Sequence, residues 1–89
     1  MASLRAAMYK SIHSPQNQVL LALLRDHRRS RRLRQIDVGL RLGKDQAMVS
    51  KVESGERRLD VIELRAWLQA IDVDFVAFIR ELEVRLSRL

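Results

Sequence analysis

Gln46, Ser50 and Lys51 recur at helical spacing, with Val49 between them and Val52 just after. An amide, a hydroxyl and an ammonium on one helix side make a strip of donors and acceptors, while the two valines face inward. Such a strip suits the edges of base pairs, because the major groove admits one helix and shows a distinct donor–acceptor pattern for each pair. Upstream, Arg28, Arg29, Arg31, Arg32 and Arg34 crowd into seven positions. Their charge suits phosphates, although a solvated, solubilising face is the plainer use of the same residues. His13 and His27 are too few and too far apart to suggest a metal site, and Asp72 and Asp74 are explained by turn and cap duties. No Ser-His-Asp arrangement, phosphate loop or ligand cluster stands out. The expectation is therefore no enzyme activity, no metal and no cofactor.

The elements that must position these residues follow from size and pattern. The chain has 89 residues, 47% of them hydrophobic, enough for one domain with a compact core. Trp67, Tyr9, Phe75 and Phe78 are its only aromatic residues, so aliphatic side chains must fill the interior. With no cysteine, disulfides and thiolate metal sites are excluded. No secretory signal and no run of the roughly 20 apolar residues needed for a membrane span are visible. The expectation is a soluble cytoplasmic protein. The net charge is +6 and unevenly placed: residues 1–58 carry +8 and residues 59–89 carry −2. A basic front and a mildly acidic back suggest one surface for a polyanion and another for something else.

Residues 1–13 show no clear period and read as a flexible or partly helical basic arm. Ser14-Pro15 is a helix start, a capping hydroxyl followed by proline at the first helical position. Val19, Leu20, Leu23 and Leu24 give this first helix its apolar face, to about residue 29. A second helix is predicted over Gln35–Leu42, with Ile36, Val38, Gly39 and Leu42 as its apolar or small positions and Gly43 as terminator. Asp45 caps a third helix, Gln46–Ser54, closed by Gly55. Asp60 and Glu63 have capping-box spacing before a fourth helix carrying Leu64, Trp67, Leu68 and Ile71. Asp74 starts a fifth. The fold class is all-α, five packed short helices without a strand. Two short helices joined through Gly43-Lys44-Asp45 form a helix-turn-helix, whose second helix can enter the major groove.

The residues also carry a family resemblance. Arg25, Gln35, Val38-Gly39, Leu42-Gly43 and the run Val49-Ser50-Lys51-Val52-Glu53-Ser54-Gly55-Glu56-Arg57 resemble the phage Cro and repressor type of helix-turn-helix, also called XRE-like. The run matches its ending of hydrophobic, Ser, any, hydrophobic, Glu, any, Gly, any, basic. Leu64, Leu68, Ile71 and Val73 occupy its later hydrophobic positions, and the match spans Leu24–Val76. The resemblance implies a five-helix lambda-repressor-like domain that binds double-stranded DNA. It implies base-edge contacts from Gln46, Ala47, Met48 and Lys51: Gln46 to adenine, Lys51 to guanine, Ala47 and Met48 to thymine methyls. It implies phosphate contacts from Gln35, Arg57 and Arg58. Arg32 and Arg34, beside the start of the second helix, and Lys44 and Ser50 are the further phosphate contacts expected. Glu53 would be structural, satisfying backbone donors around the turn.

Four departures from the family pattern matter. Arg32 stands where many members have Gly, and Arg34 where Thr or Ser usually caps the second helix. Asp37 can compensate by its charge near that helix start. Gly39 replaces Ala, at a cost of about 0.5–1 kcal/mol inside a helix. Leu59 replaces a frequent proline.

The division expected is an arm at 1–13, a helix-turn-helix core at 14–73 and a C-terminal helix at 74–89. That last helix carries Phe75, Phe78, Ile79, Leu82, Leu86 and Leu89, more than one small domain easily buries. Phe78, Ile79, Leu82, Leu86 and Leu89 are the expected dimer interface, and a homodimer would read a near-palindrome. A chain of this length leaves little room for a ligand sensor, so the expected function is a transcriptional regulator of the repressor kind. The alternatives are an antitoxin that binds a toxin through the last helix or residues 1–13, and an interaction domain that does not read DNA.

Overall fold

The computed structural model describes residues 14–89, so the reading of an arm at 1–13 lies outside the described residues. Five helices follow one another: α1 (Pro15–Ser30), α2 (Gln35–Leu42), α3 (Gln46–Glu53), α4 (Val61–Ala70) and α5 (Phe75–Leu86). No strand occurs among the described residues, so the all-α fold class holds.

Four of the five helices begin on a side-chain acceptor that satisfies an otherwise unpaired N–H. Ser14 Oγ accepts from the Asn17 N–H at 3.1 Å, Asp45 from Met48 at 2.9 Å and Asp74 from Ala77 at 2.9 Å. Asp60 and Glu63 form the full reciprocal box, at 2.7 and 3.0 Å. The start of α2 works differently, because Arg34 has no acceptor to offer. The Asp37 carboxylate instead reaches back to the Arg34 backbone N–H at 2.8 Å and to its guanidinium at 2.9 and 3.0 Å. Asp37 thus compensates by hydrogen bonding as well as by charge. Those bonds hold its pKa down at about 2.

Four helices end in the same geometry, in which the residue after a left-handed one bonds back five positions. Leu33 N–H bonds to Arg28 O at 3.2 Å, Lys44 to Gly39 at 2.8 Å, Glu56 to Lys51 at 2.9 Å and Val73 to Leu68 at 2.8 Å. The residue before each donor must take a left-handed backbone. Gly43 and Gly55 do so at φ 68° and 86°, but Arg32 and Asp72 do so as non-glycines, at 56° and 57°. The departure at position 32 is therefore a strained one: a side chain occupies a conformation in which its Cβ crowds the carbonyl. Gly39 has a use beyond helix propensity. A Cβ there would lie 2.8 Å from Lys44 O and 3.1 Å from Asp45 O, so the missing side chain lets the turn close onto α2.

Leu23 and Leu24 of α1, Val38 of α2, Val49 and Val52 of α3, Trp67 and Leu68 of α4, and Phe78 of α5 meet in one core. Burying such side chains contributes about 1.5–3 kcal/mol each. Ile36 is not part of it; it is 45% exposed, because Val38 and Gly39 take the inner side of α2. The fifth helix packs along α1. Phe78 lies inside at 1% exposure, against the His27 ring at 5.7 Å. His27 Nε2 meets Glu81 at 2.6 Å, and Arg31 reaches His27 Nδ1 at 3.2 Å. Among the described residues no helix is long and apolar enough to cross a membrane.

Relieving the left-handed arginine should be measurable. Arg32→Gly is expected to raise stability by about 0.5–1 kcal/mol, a Tm increase of about 2–8 °C in thermal unfolding. An unchanged or lower Tm would show that the Arg32 side chain offsets its own strain.

Candidate nucleic-acid interface

The third helix turns two different sides to its surroundings. Val49 and Val52 are 0% and 1% exposed, while Gln46, Ala47, Ser50 and Lys51 are exposed on the other side. Met48 is half-buried and packs on the core, so it is less open to an outside partner than its neighbours. The Asp45 cap sets where α3 starts, and α1 and α2 hold it from behind.

What fixes that pose is a buried ion pair between α1 and the end of α3. Arg28 Nε and Nη2 donate to the two Glu53 carboxylate oxygens at 2.6 and 2.9 Å. The residues are 7% and 3% exposed. Arg28 Nη1 also donates to Leu33 O at 2.8 Å, and Arg25 donates to Glu53 O at 3.2 Å. Glu53 is structural, as expected, but its carboxylate accepts from side chains and not from backbone donors around the turn. Gln35 Nε2 donates to Glu53 Oε1 at 3.0 Å, and Gln46 Nε2 donates to Gln35 Oε1 at 3.4 Å. One chain of hydrogen bonds therefore runs from the core to the outer end of α3.

Arg28 is the residue that sequence reasoning misplaced, by grouping it with the surface arginines. The signal was available: Leu21, Leu24 and Arg28 follow at i, i+3 and i+7 on the inner side of α1. An arginine on that side needs a buried carboxylate, and Glu53 is the only buried one among the described residues.

Outside this pair lies an open crevice of about 640 Å³, lined by Arg28, Arg29, Arg32, Leu33, Arg34, Gln35, Ile36 and Gln46. It brings together four expected contact residues, Arg32, Arg34, Gln35 and Gln46. Their charges are not equally available. The Arg34 guanidinium is paired with Asp37, whereas Arg29 and Arg32 make no side-chain hydrogen bond or ion pair among the described residues. Lys44 and Arg57 do not line this crevice. They line a second cavity, where Arg57 is bound to Glu63 at 2.6 Å and thereby holds the Glu63 pKa below the usual carboxylate value. Arg58 is exposed beside it.

This is the arrangement of a helix-turn-helix family. A family model described as helix-turn-helix matches residues 24–78. The chain belongs to the XRE-like helix-turn-helix family. It is accordingly a DNA-binding helix-turn-helix protein. It is similar to an XRE-family like protein from Pseudomonas syringae pv. tomato, at 40% identity and a TM-score of 0.78, over 88% of this chain and 95% of that one. No curated protein matches.

The ion pair gives the clearest test of how this XRE-like domain holds its outward helix. Removing one charge leaves the other buried and unpaired, which costs about 3–5 kcal/mol. Glu53→Gln should therefore lower the midpoint of urea unfolding sharply, whereas exposed Glu56→Gln should leave it almost unmoved. Equal, small shifts for both would show that the pair does not hold α3.

Proposed function

We propose that this chain is a sequence-specific regulator of transcription that acts as a repressor, inserting α3 into the major groove of an operator. The observation that supports this most is the exposed set Gln46, Ala47, Ser50 and Lys51, carried on a helix tied to the core through Gln35 and Glu53. Gln46 and Lys51 take the base edges, where a bidentate amide suits adenine and an ammonium suits guanine. Ala47 permits close approach, with its methyl toward thymine. Met48 adds an apolar contact at the margin.

Ser50 donates to phosphate from the same exposed side. Gln35, at the first position of α2, sits beside the positive end of that helix and the free guanidiniums of Arg29 and Arg32. A phosphate in the crevice meets all three. Lys44, in the turn before α3, and Arg58, past its end, also grip the backbone. Arg34 and Arg57 contribute less charge, each being matched by a carboxylate of the chain itself.

Homodimerisation on a near-palindromic operator completes the proposal. Of the expected interface, Phe78 is spent in the core, and Leu82 and Leu86 are half-buried. Ile79 and Leu89 stay 38% and 66% exposed, and Val76, one turn before Ile79, is 55% exposed. Their exposure supports a dimer surface on the Val76 and Ile79 side of α5. An Ile79→Glu variant should sediment as a monomer at concentrations where the parent is dimeric; a persistent dimer excludes this surface.

Specificity is tested on duplexes selected from a random library. Gln46→Ala and Lys51→Ala should each weaken binding to the selected duplex by about 1–3 kcal/mol and broaden its sequence preference. Arg32→Gly should weaken selected and random duplexes alike and lower the log–log salt slope by about 0.9. If Gln46→Ala also weakens both alike, base reading by this helix is wrong.

A further inference from the structure

The second cavity, about 150 Å³, opens where the end of α2, α3 and α4 meet. Leu42, Met48 and Trp67 give it an apolar wall, and Lys44, Arg57 and Glu63 give it charge. Two of those charges are already used on each other, since Arg57 and Glu63 lie 2.6 Å apart. Glu63 also accepts from the Asp60 backbone N–H at 3.0 Å. The Lys44 ammonium is different: it makes no hydrogen bond or ion pair among the described residues and acts on Glu63 only through space, the smallest of the influences that lower that carboxyl's pKa. The wall holds a further oddity. Trp67 Nε1 is the one buried side-chain polar atom among the described residues without a hydrogen-bond partner.

We propose that this cavity is a binding site for a small monocarboxylate with a ring-sized apolar body, of which benzoate is the simplest. Size sets the body, because about 150 Å³ is the volume that holds one benzene ring, and Leu42, Met48 and Trp67 give it an apolar wall. Charge sets the headgroup: one unpaired cation favours one negative charge, and Glu63 opposes a second. The ring rests on Leu42, Met48 and Trp67 while the carboxylate meets Lys44.

The consequence for control rests on the DNA-reading proposal above. Lys44 immediately precedes the Asp45 cap of α3, and Met48 lies on α3 itself. A carboxylate on Lys44 takes away a cation assigned to phosphate, so occupation lowers affinity for DNA.

Trp67 is the only tryptophan, so its emission reports on the cavity directly. Sodium benzoate titrated into the full chain without DNA, at constant ionic strength, should give a saturable change. Benzyl alcohol, of similar size but uncharged, should bind about tenfold more weakly, and Lys44→Gln should weaken benzoate by about the same factor. Ala66→Phe, which fills the cavity from its rim, should abolish saturation while circular dichroism stays helical. A response that is linear in benzoate, or that saturates equally in Ala66→Phe and Lys44→Gln, overturns the site. Benzoate should then weaken duplex binding by the parent and not by Ala66→Phe; equal binding with and without benzoate overturns the control and leaves the site standing. Failure of the chain to bind any duplex would count against the DNA reading alone.

Discussion

The Arg28–Glu53 pair is the constraint on which the orientation of α3 depends. Two full charges lie at 7% and 3% exposure, and taking them out of water is repaid only when every donor and acceptor is met in good geometry. They are met here by a bidentate contact, a backbone carbonyl at Leu33 and an amide from Gln35. Such a pair contributes little net stability against an apolar replacement. Its value is positional, since any rotation of α3 against α1 would open a buried charge. Apolar contacts alone, such as Val49 and Val52 on Leu24, tolerate sliding more readily than a two-point ionic contact does.

The same pair joins the interior to the surface. Glu53 holds Gln35, and Gln35 holds Gln46, so side chains assigned to phosphate and to base are aligned before any partner arrives. Fixing them in advance lowers the entropy lost on binding. The electrostatics around α3 are also graded. Arg34 and Arg57 are each matched by a carboxylate within the chain, while Arg29, Arg32 and Lys44 are not. The net attraction for a polyanion is therefore carried by fewer cations than the composition suggests, and those are set before α2 and in the turn between α2 and α3.

Local signals were written plainly in the sequence. Ser14-Pro15, Asp45, Asp60 with Glu63, and Asp74 each marked a helix start, because capping is chemistry between residues three apart. The period of Val49 and Val52 placed the inner side of α3, and with it the outer residues Gln46, Ser50 and Lys51. The family resemblance, too, rested on contiguous residues, chiefly Val49–Arg57. The departure at position 32 was visible as an arginine in place of glycine, although its left-handed backbone was not.

What only the tertiary structure decided concerns partners distant in the chain. Nothing in the local pattern tells that Arg28 answers Glu53, 25 positions on, or that the stripe of α5 divides, with Phe78 spent on α1 and Ile79 left outside. Periodicity could put Arg28 on the inner side of α1, but which carboxylate answers it, and which outer arginines stay free, depends on where the helices meet. Capping and periodicity act within a few residues and so are legible in sequence. Charge pairing and the division of an apolar stripe depend on separations in space, which the packing of all five helices sets together.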